Sequence, residues 1–254
     1  MKRSLLIGLL ILTLGAARAV TADDCKAPEL ICKAAGNQDR SLYLRDHCHY
    51  EQKIRIERFK LKGDKEQMEE TRETAVAVEP ADKADKTGQV PVTVSVLSDT
   101  DKKGNPKNKV NEGETTLLSF GALWDLAFFP LLPEKINFYN YQEVVSDRKN
   151  ERWYRFTPKA GATDRPLAAG TVMLDAMTGE ILTIKIESLH NLEVLDKEAA
   201  KLKSFNATID YSQFEGAMRL PTLASGSGSS NIRRFEGNFR FRFEEGKYRI
   251  VSKM

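Results

Sequence analysis

The chain of 254 residues carries few groups suited to covalent or metal chemistry. Its three histidines are His47, His49 and His190. His47 and His49 flank Cys48, and on a strand the two imidazoles would share a face where they could chelate zinc or copper. A third and fourth ligand would have to come from His190 or a carboxylate, and no finger-type spacing supplies them. The expectation is therefore polar side chains at a helix-to-strand junction, with no metal. Cys48 as a nucleophile beside either histidine lacks a third group to orient the base. The serines of SGSGSS (225–230) lack the strand–turn–helix setting of a nucleophile elbow. Asp175 in DAMTG reads as a turn aspartate, not half of a carboxylate pair. No glycine-rich phosphate loop is present. The residues predict no catalysis and no cofactor.

What stands out instead is apolar. LLSFGALWDLAFFPLLP, Leu117 to Pro133, packs Phe120, Leu123, Trp124, Phe128, Phe129, Leu131 and Leu132 closely together. A bilayer span needs about 20 apolar residues with few charges, and this run is shorter and holds Asp125 and Pro130. Three roles remain: a core helix, a lid over an apolar cavity, or a surface that touches lipid.

The N-terminus bounds the setting. Lys2 and Arg3, the apolar LLIGLLILTL and the A-x-A site Ala17-Arg18-Ala19 read as a signal peptide over residues 1–19. Ala22-Asp23-Asp24 before Cys25 is not a lipidation context, so an exported, unlipidated, soluble protein starting near Val20 is expected. The formal charge of +3 comes from interspersed acids and bases, which argues against nucleic acid as a partner. Three cysteines allow one bridge in an oxidising compartment. On a helix Cys32 and Cys48 would lie roughly 24 Å apart, beyond the ~7 Å Cα limit. Cys25–Cys32 is feasible only if the segment before Pro28 folds back, and three unpaired thiols are the alternative.

Strand periodicity is strong. RFEGNFRFRF puts Phe235, Phe239, Phe241 and Phe243 on one face, and FNATIDY does so with Phe205, Ala207, Ile209 and Tyr211. EILTIKIE groups Leu182, Ile184 and Ile186, and VPVTVSVL groups Val90, Val92, Val94 and Val96. This period of two means antiparallel strands with one wet face. Met177-Thr178-Gly179, Glu215-Gly216 and Glu245-Gly246 read as hairpin turns. Helices are expected near 28–46 and inside 116–132, with a short helical turn at 195–203. Residues 79–88 and the lysine-rich 98–114 read as loops, and SGSGSS as a flexible connection. No internal repeat or second core is evident, so residues 20–254 form one domain.

A meander with one apolar face must cover that face. The fold class expected is mainly β (α+β): a curved antiparallel sheet, an unclosed half-barrel, with the 116–132 helix plugging its concave face. The order of elements resembles that of the bacterial outer-membrane lipoprotein-sorting family, the LolA/LolB-like fold. NQDRSLYLRDHCHYEQKIRIERF leads from helix to first strand. The central apolar helix precedes YQEVVSDRKNERWYRFTPK and GTVMLDAMTGEILTIKIE, and the RWYRFTPK strand with the VMLDAMTGEI hairpin carries most of the resemblance. The lysine-rich loop and three cysteines depart from it.

The resemblance implies a cavity that accepts acyl chains. On that basis the function expected is a non-enzymatic periplasmic carrier whose partners are a lipid or acylated lipoprotein and inner- or outer-membrane envelope proteins. The protein itself is expected to be a monomer. Candidate ligand-binding residues are Phe120, Leu123, Trp124, Phe128, Phe129, Leu131, Phe239 and Phe241. The alternative is an envelope interaction module of the same fold with a filled core.

Overall fold

The computed structural model describes residues 25–62, 65–81, 91–107, 121–214, 216, 218–232 and 236–251. Phe120, Val90, Arg234 and Phe235 lie outside the described residues, as does the proposed signal segment.

The chain begins with α1 (Glu29–Asp46) and then β1 (Cys48–Lys62), β2 (Lys65–Pro80) and β3 (Val92–Asp99). The short helices α2 (Gly121–Phe128) and α3 (Pro133–Ile136) follow. Next come β4 (Tyr139–Val144), β5 (Glu151–Pro158), β6 (Leu167–Asp175) and β7 (Ile181–His190). After α4 (Leu192–Leu195) and a 3-10 turn at Ala199–Lys201 run β8 (Leu202–Gln213), β9 (Arg219–Ser230) and β10 (Gly237–Ile250). All ten strands form one sheet in the order β3-β2-β1-β10-β9-β8-β7-β6-β5-β4. Every pairing is antiparallel. β3 and β4 are its two edges, so the sheet is open and the protein is mainly β, as the alternation predicts.

One face of this sheet is apolar and buried. Ile54 and Ile56 of β1, Phe156 of β5, Val172 and Leu174 of β6, Ile184 and Ile186 of β7, Phe205, Ala207 and Ile209 of β8, and Phe239, Phe241 and Phe243 of β10 share one core cluster with α1 and the segment after α2. The buried positions of α1 include Ile31, Ala34, Ala35, Gln38, Ser41 and Arg45, the three-to-four spacing of a helix lying on a surface. Pro28 caps this helix, and Cys25 bridges Cys32 with 6.1 Å between Cα atoms. The segment before Pro28 therefore does fold back; Cys48 is buried and takes no part in the bridge.

Several expectations are corrected. SGSGSS is no linker: residues 225–230 are the second half of β9, paired with both β8 and β10. The reason is space, because a Cβ at Gly226 would lie 2.0 Å from the Asn206 carbonyl oxygen and one at Gly228 would lie 2.6 Å from Phe239 Cζ. Glycine there lets the β10 rings and the neighbouring backbone close in. Glu245-Gly246 is not a hairpin either; it lies inside β10 beside a bulge opposite His49 and Glu51, with Lys247 at φ 58°. A register shift of β7 against Met173 and Leu174 of β6 brings Ile181, not Leu182, into the buried row with Ile184 and Ile186. Val92 and Val94 are exposed because β3 is an edge. The helix within 116–132 stops at Phe128, where Pro130 cannot continue it, and the helical turn at 195–203 is split between α4 and the 3-10 turn.

The Met177-Thr178-Gly179 turn is as expected. Asp175 Oδ1 accepts from the Met177 and Thr178 amides and the Thr178 hydroxyl at 2.8–3.0 Å. Gly179 sits at φ 71° against Lys33 of α1, and Asn37 Nδ2 donates to the Thr178 carbonyl at 3.1 Å.

Candidate apolar binding face and its polar clamp

α2 and the four residues after it fill the apolar side of the sheet. Phe129 and Leu131 are fully buried, Phe128 is 1% exposed and Leu123 6%. Trp124 is half-buried and lies against four phenylalanines. Its ring centroid is 5.1 Å from that of Phe241, 5.4 Å from Phe243, 5.9 Å from Phe128 and 6.1 Å from Phe205. Phe205 and Phe241 stack at 5.3 Å, and Phe239 is 6.4 Å from Phe241. The structure thus brings Trp124, Phe128 and Phe241 into one aromatic group, with Phe239 at its margin. Leu123 instead packs with Leu126, Leu192 and Ala199 in a separate small cluster.

This segment has a stretch of backbone that no regular element satisfies, between the end of α2 and Pro133. Gln38 of α1 completes it. Its Oε1 accepts from the Leu131 amide at 2.7 Å and its Nε2 donates to the Phe128 carbonyl at 3.2 Å. The Tyr211 hydroxyl of β8 donates to the same carbonyl. Gln38 is 1% exposed, so these bonds form where water cannot replace them.

Beside it lies a buried ion pair. Arg45, at the end of α1, donates Nε and Nη2 to the two oxygens of Glu245 at 2.6 and 2.9 Å. Its side chain is 7% exposed and that of Glu245 fully buried. Gln52 Nε2 donates to Glu245 at 2.9 Å. The Tyr248 hydroxyl touches both Glu245 and the Pro221 carbonyl and can donate to one at a time. The guanidinium also faces the Tyr50 ring at 5.0 Å and the Phe129 ring at 5.8 Å, and its Nη1 reaches Asp125 of α2 at 3.4 Å. Burial works against the Arg45 charge, but Glu245, Tyr50 and Asp125 together outweigh it and hold the guanidinium well above its ordinary pKa. Desolvation, then the Glu245 charge, pushes the Tyr248 phenol far up. Half of the Asp125 side-chain surface is open to solvent, yet desolvation still raises its carboxyl against the pull of Arg45. Arg45 therefore joins α1, β10 and α2 in one network.

The sequence reading missed Gln38, Arg45, Gln52, Glu245 and Tyr248. A signal was available: Glu245 falls on the register of Phe239, Phe241 and Phe243, and Gln38 and Arg45 fall on the apolar register of α1. Polar residues on buried registers must find partners.

His47 and His49 do not converge on a site. His47 caps α1 with Nδ1 2.7 Å from the Tyr43 carbonyl, and His49 Nδ1 lies 3.6 Å from Glu79. His190 meets Ser188 at 2.9 Å. Among the described residues no group of three or more His, Cys, Asp or Glu side chains is placed to hold a metal ion, and no helix is long and apolar enough to cross a membrane. A cleft of about 480 Å³ runs along β1 and β10, with Gln52 and Glu245 in its lining, and one of about 670 Å³ lies at the β4–β5 turn; neither is lined by α2.

The sequence matches no family model and no curated protein. Among solved structures the chain is similar to a LolA superfamily protein from Nitrosomonas europaea, at 9% identity over 87% of this chain and 94% of that one, with a TM-score of 0.29. It is also similar to a structure described as an outer membrane lipoprotein-sorting protein domain, from Vibrio parahaemolyticus. That match has 10% identity over 88% of this chain and 94% of the other, TM-score 0.34. MucB in complex with MucA(peri) is similar at 10% identity over 85% and 94%, TM-score 0.22. The first two belong to the group that the order of elements in the sequence resembles.

Proposed function

We propose that this protein is a non-enzymatic periplasmic carrier of the bacterial envelope that binds a lipid or the acyl chains of a lipoprotein on the apolar face now occupied by α2 and residues 129–132. The observation that carries this reading is a short, strongly apolar segment seated on an aromatic floor and tied down, among the described residues, by few side-chain polar contacts, those of Gln38, Tyr211, Arg45 and Lys135.

The magnitudes are compatible with exchange. Burying Leu123, Phe128, Phe129, Leu131 and Leu132 contributes about 1.5–3 kcal/mol each, roughly 7–15 in all. An acyl chain of about 14 methylenes leaving water for the same surface gains about 11 kcal/mol at ~0.8 per CH₂. Two occupants of similar worth compete for one surface, the condition for loading and release without a large net change in free energy. The complete burial of Phe128 and Phe129 favours the second reading, an interaction module whose core is permanently filled.

The test is native mass spectrometry of protein purified from the periplasm, followed by organic extraction and lipid analysis, with uptake of a fluorescent fatty acid measured alongside. The carrier reading expects a co-purifying lipid or acylated peptide and saturable uptake. Both should be lost in Phe128→Glu and weakened in the milder Trp124→Ala, each verified as folded by circular dichroism. A clean apo mass with no uptake sinks the carrier reading in favour of the filled core.

A further inference from the structure

The inner face of the sheet is divided by chemistry. β6 and β7 line it with the aliphatic groups of Val172, Leu174, Ile184 and Ile186, whereas rings gather under α2. The rings owe their arrangement to β9. Phe205 of β8 and Phe241 of β10 stand two strand spacings apart, about 9–10 Å. Their centroids are nevertheless 5.3 Å apart, with planes 14° from parallel. They close over β9 because Gly226, opposite Phe241, and Gly228, opposite Phe205, put no side chain between them.

Trp124 stands on that stacked pair. It meets Phe205 at 65° and Phe241 at 67°, both edge-to-face, and lies tilted against Phe243 at 35° and Phe128 at 32°. Edge-to-face contact draws on the quadrupole of a flat aromatic ring, so a saturated chain in the same place makes only dispersion contacts. A flexible chain also loses torsional freedom on seating, which a ring has already given up. Trp124 is half-buried, while Phe128 and Phe129 of the same segment are enclosed. The indole is therefore the large ring of the segment nearest to solvent, and it marks the shape and chemistry that its seat accepts.

We propose that the ligand of this face is an apolar molecule carrying a flat aromatic ring and an aliphatic tail, in preference to a wholly saturated chain. The inference narrows the carrier reading and rests on it. The ring takes the position that the indole now holds against Phe205, Phe241 and Phe243. The tail runs over Ile54 and Ile56 of β1, which lie opposite Phe243 and Phe241. The displaced indole covers the ring, so Trp124 remains part of the bound state.

The experiment measures, by calorimetry on the full chain, the binding of three carboxylic acids: ω-naphthylhexanoic acid, its ring-saturated decalin analogue, and dodecanoic acid. Saturating the ring keeps the carbon skeleton and adds hydrophobicity, so a preference for naphthyl reads aromaticity alone. The naphthyl acid is expected to bind at least fivefold tighter than either of the others. In Trp153→Phe, which leaves Trp124 as the sole tryptophan, the naphthyl acid should quench tryptophan emission by energy transfer. Phe205→Leu and Phe241→Leu should each reduce the naphthyl-to-decalin preference to less than twofold. Circular dichroism verifies their folding, and either variant suffices if the other does not fold. Dodecanoic acid or the decalin analogue binding as tightly as the naphthyl acid overturns the ring preference and leaves the carrier reading standing. Binding of none of the three overturns both. A naphthyl preference that leaves Trp124 emission unquenched, or that survives both phenylalanine variants, places the ring elsewhere and overturns the proposal.

Discussion

Replacing Gln38 with leucine isolates the clamp on the plug segment. Leucine is close to glutamine in volume, so little cavity forms and the loss is confined to hydrogen bonds. The Phe128 carbonyl keeps the Tyr211 hydroxyl, whereas the Leu131 amide loses the acceptor that stood at 2.7 Å. One buried donor left without a partner costs about 1–3 kcal/mol. For a chain of this size that is a fall in Tm of about 4–8 °C at the middle of the range, measurable by calorimetry or urea unfolding. The same change separates the two functional readings. In a carrier the Gln38 bonds exist only while the segment is seated, so their loss weakens the seated state relative to the loaded one, and fatty-acid affinity rises by up to about tenfold for each 1.4 kcal/mol. A loss of stability below about 0.5 kcal/mol would refute the premise that these bonds hold the segment. A normal stability loss with no gain in uptake would refute its role as a displaceable plug.

Arg45→Met leaves the fully buried Glu245 carboxylate facing Gln52 and Tyr248 alone, and should cost about 3–5 kcal/mol in urea unfolding; adding Glu245→Gln should restore most of it, and a double mutant no better than the single would show that Arg45 acts through packing instead. Asp175→Ala removes the acceptor of the β6–β7 turn and should cost about 1 kcal/mol or less at neutral pH, discounted for solvent screening. Hydrogen bonds from Thr178 hold the Asp175 carboxyl below its unfolded value of 3.8. Its contribution is therefore fully present above that value and fades as pH falls through the lower folded value. The stability gap between parent and variant should be constant from pH 7 to about 5 and close below about 4; a gap independent of pH down to 2 would rule out the charged form as the source.

Strand periodicity was legible because the sheet buries one face only. Phe205, Ala207, Ile209 and Tyr211 alternate in β8 as their spacing demands, and all are buried. The reading failed where the same physics is expressed through small residues or bulges. SGSGSS has no apolar side chain to announce a buried row, since its contribution to the inner face is the absence of side chains: Gly226 and Gly228 admit backbone and ring atoms at distances no Cβ would allow. Likewise Glu245-Gly246 has turn composition, and the bulge that accommodates it is set by pairing with β1, about 200 residues away in sequence. Leu182 lost its place to Ile181 for a similar reason, a one-residue slip against β6 that moves a side chain to the other face.

The segment at 121–132 was visible in the sequence as an apolar run; its fastening was not. Fastening requires polar groups from elements far apart in the chain, α1 for Gln38 and Arg45, β8 for Tyr211 and β10 for Glu245. Composition would send Gln38, Arg45 and Glu245 to solvent. Their registers say otherwise, because each sits where an apolar residue would continue its row. A buried ion pair adds little net stability over an apolar pair of the same shape, so retaining Arg45 and Glu245 in an aromatic core is costly unless it fixes a geometry. The geometry fixed here is the approach of α2 to the sheet, since Arg45 is the one residue of the pair that also reaches Asp125. Glu245 orients Arg45, Arg45 reaches the plug helix, and the contact with Asp125, at 3.4 Å and half open to water, is the weakest link of the three. A segment that must leave its seat would be tied by such a contact, strong in orientation and weak in energy.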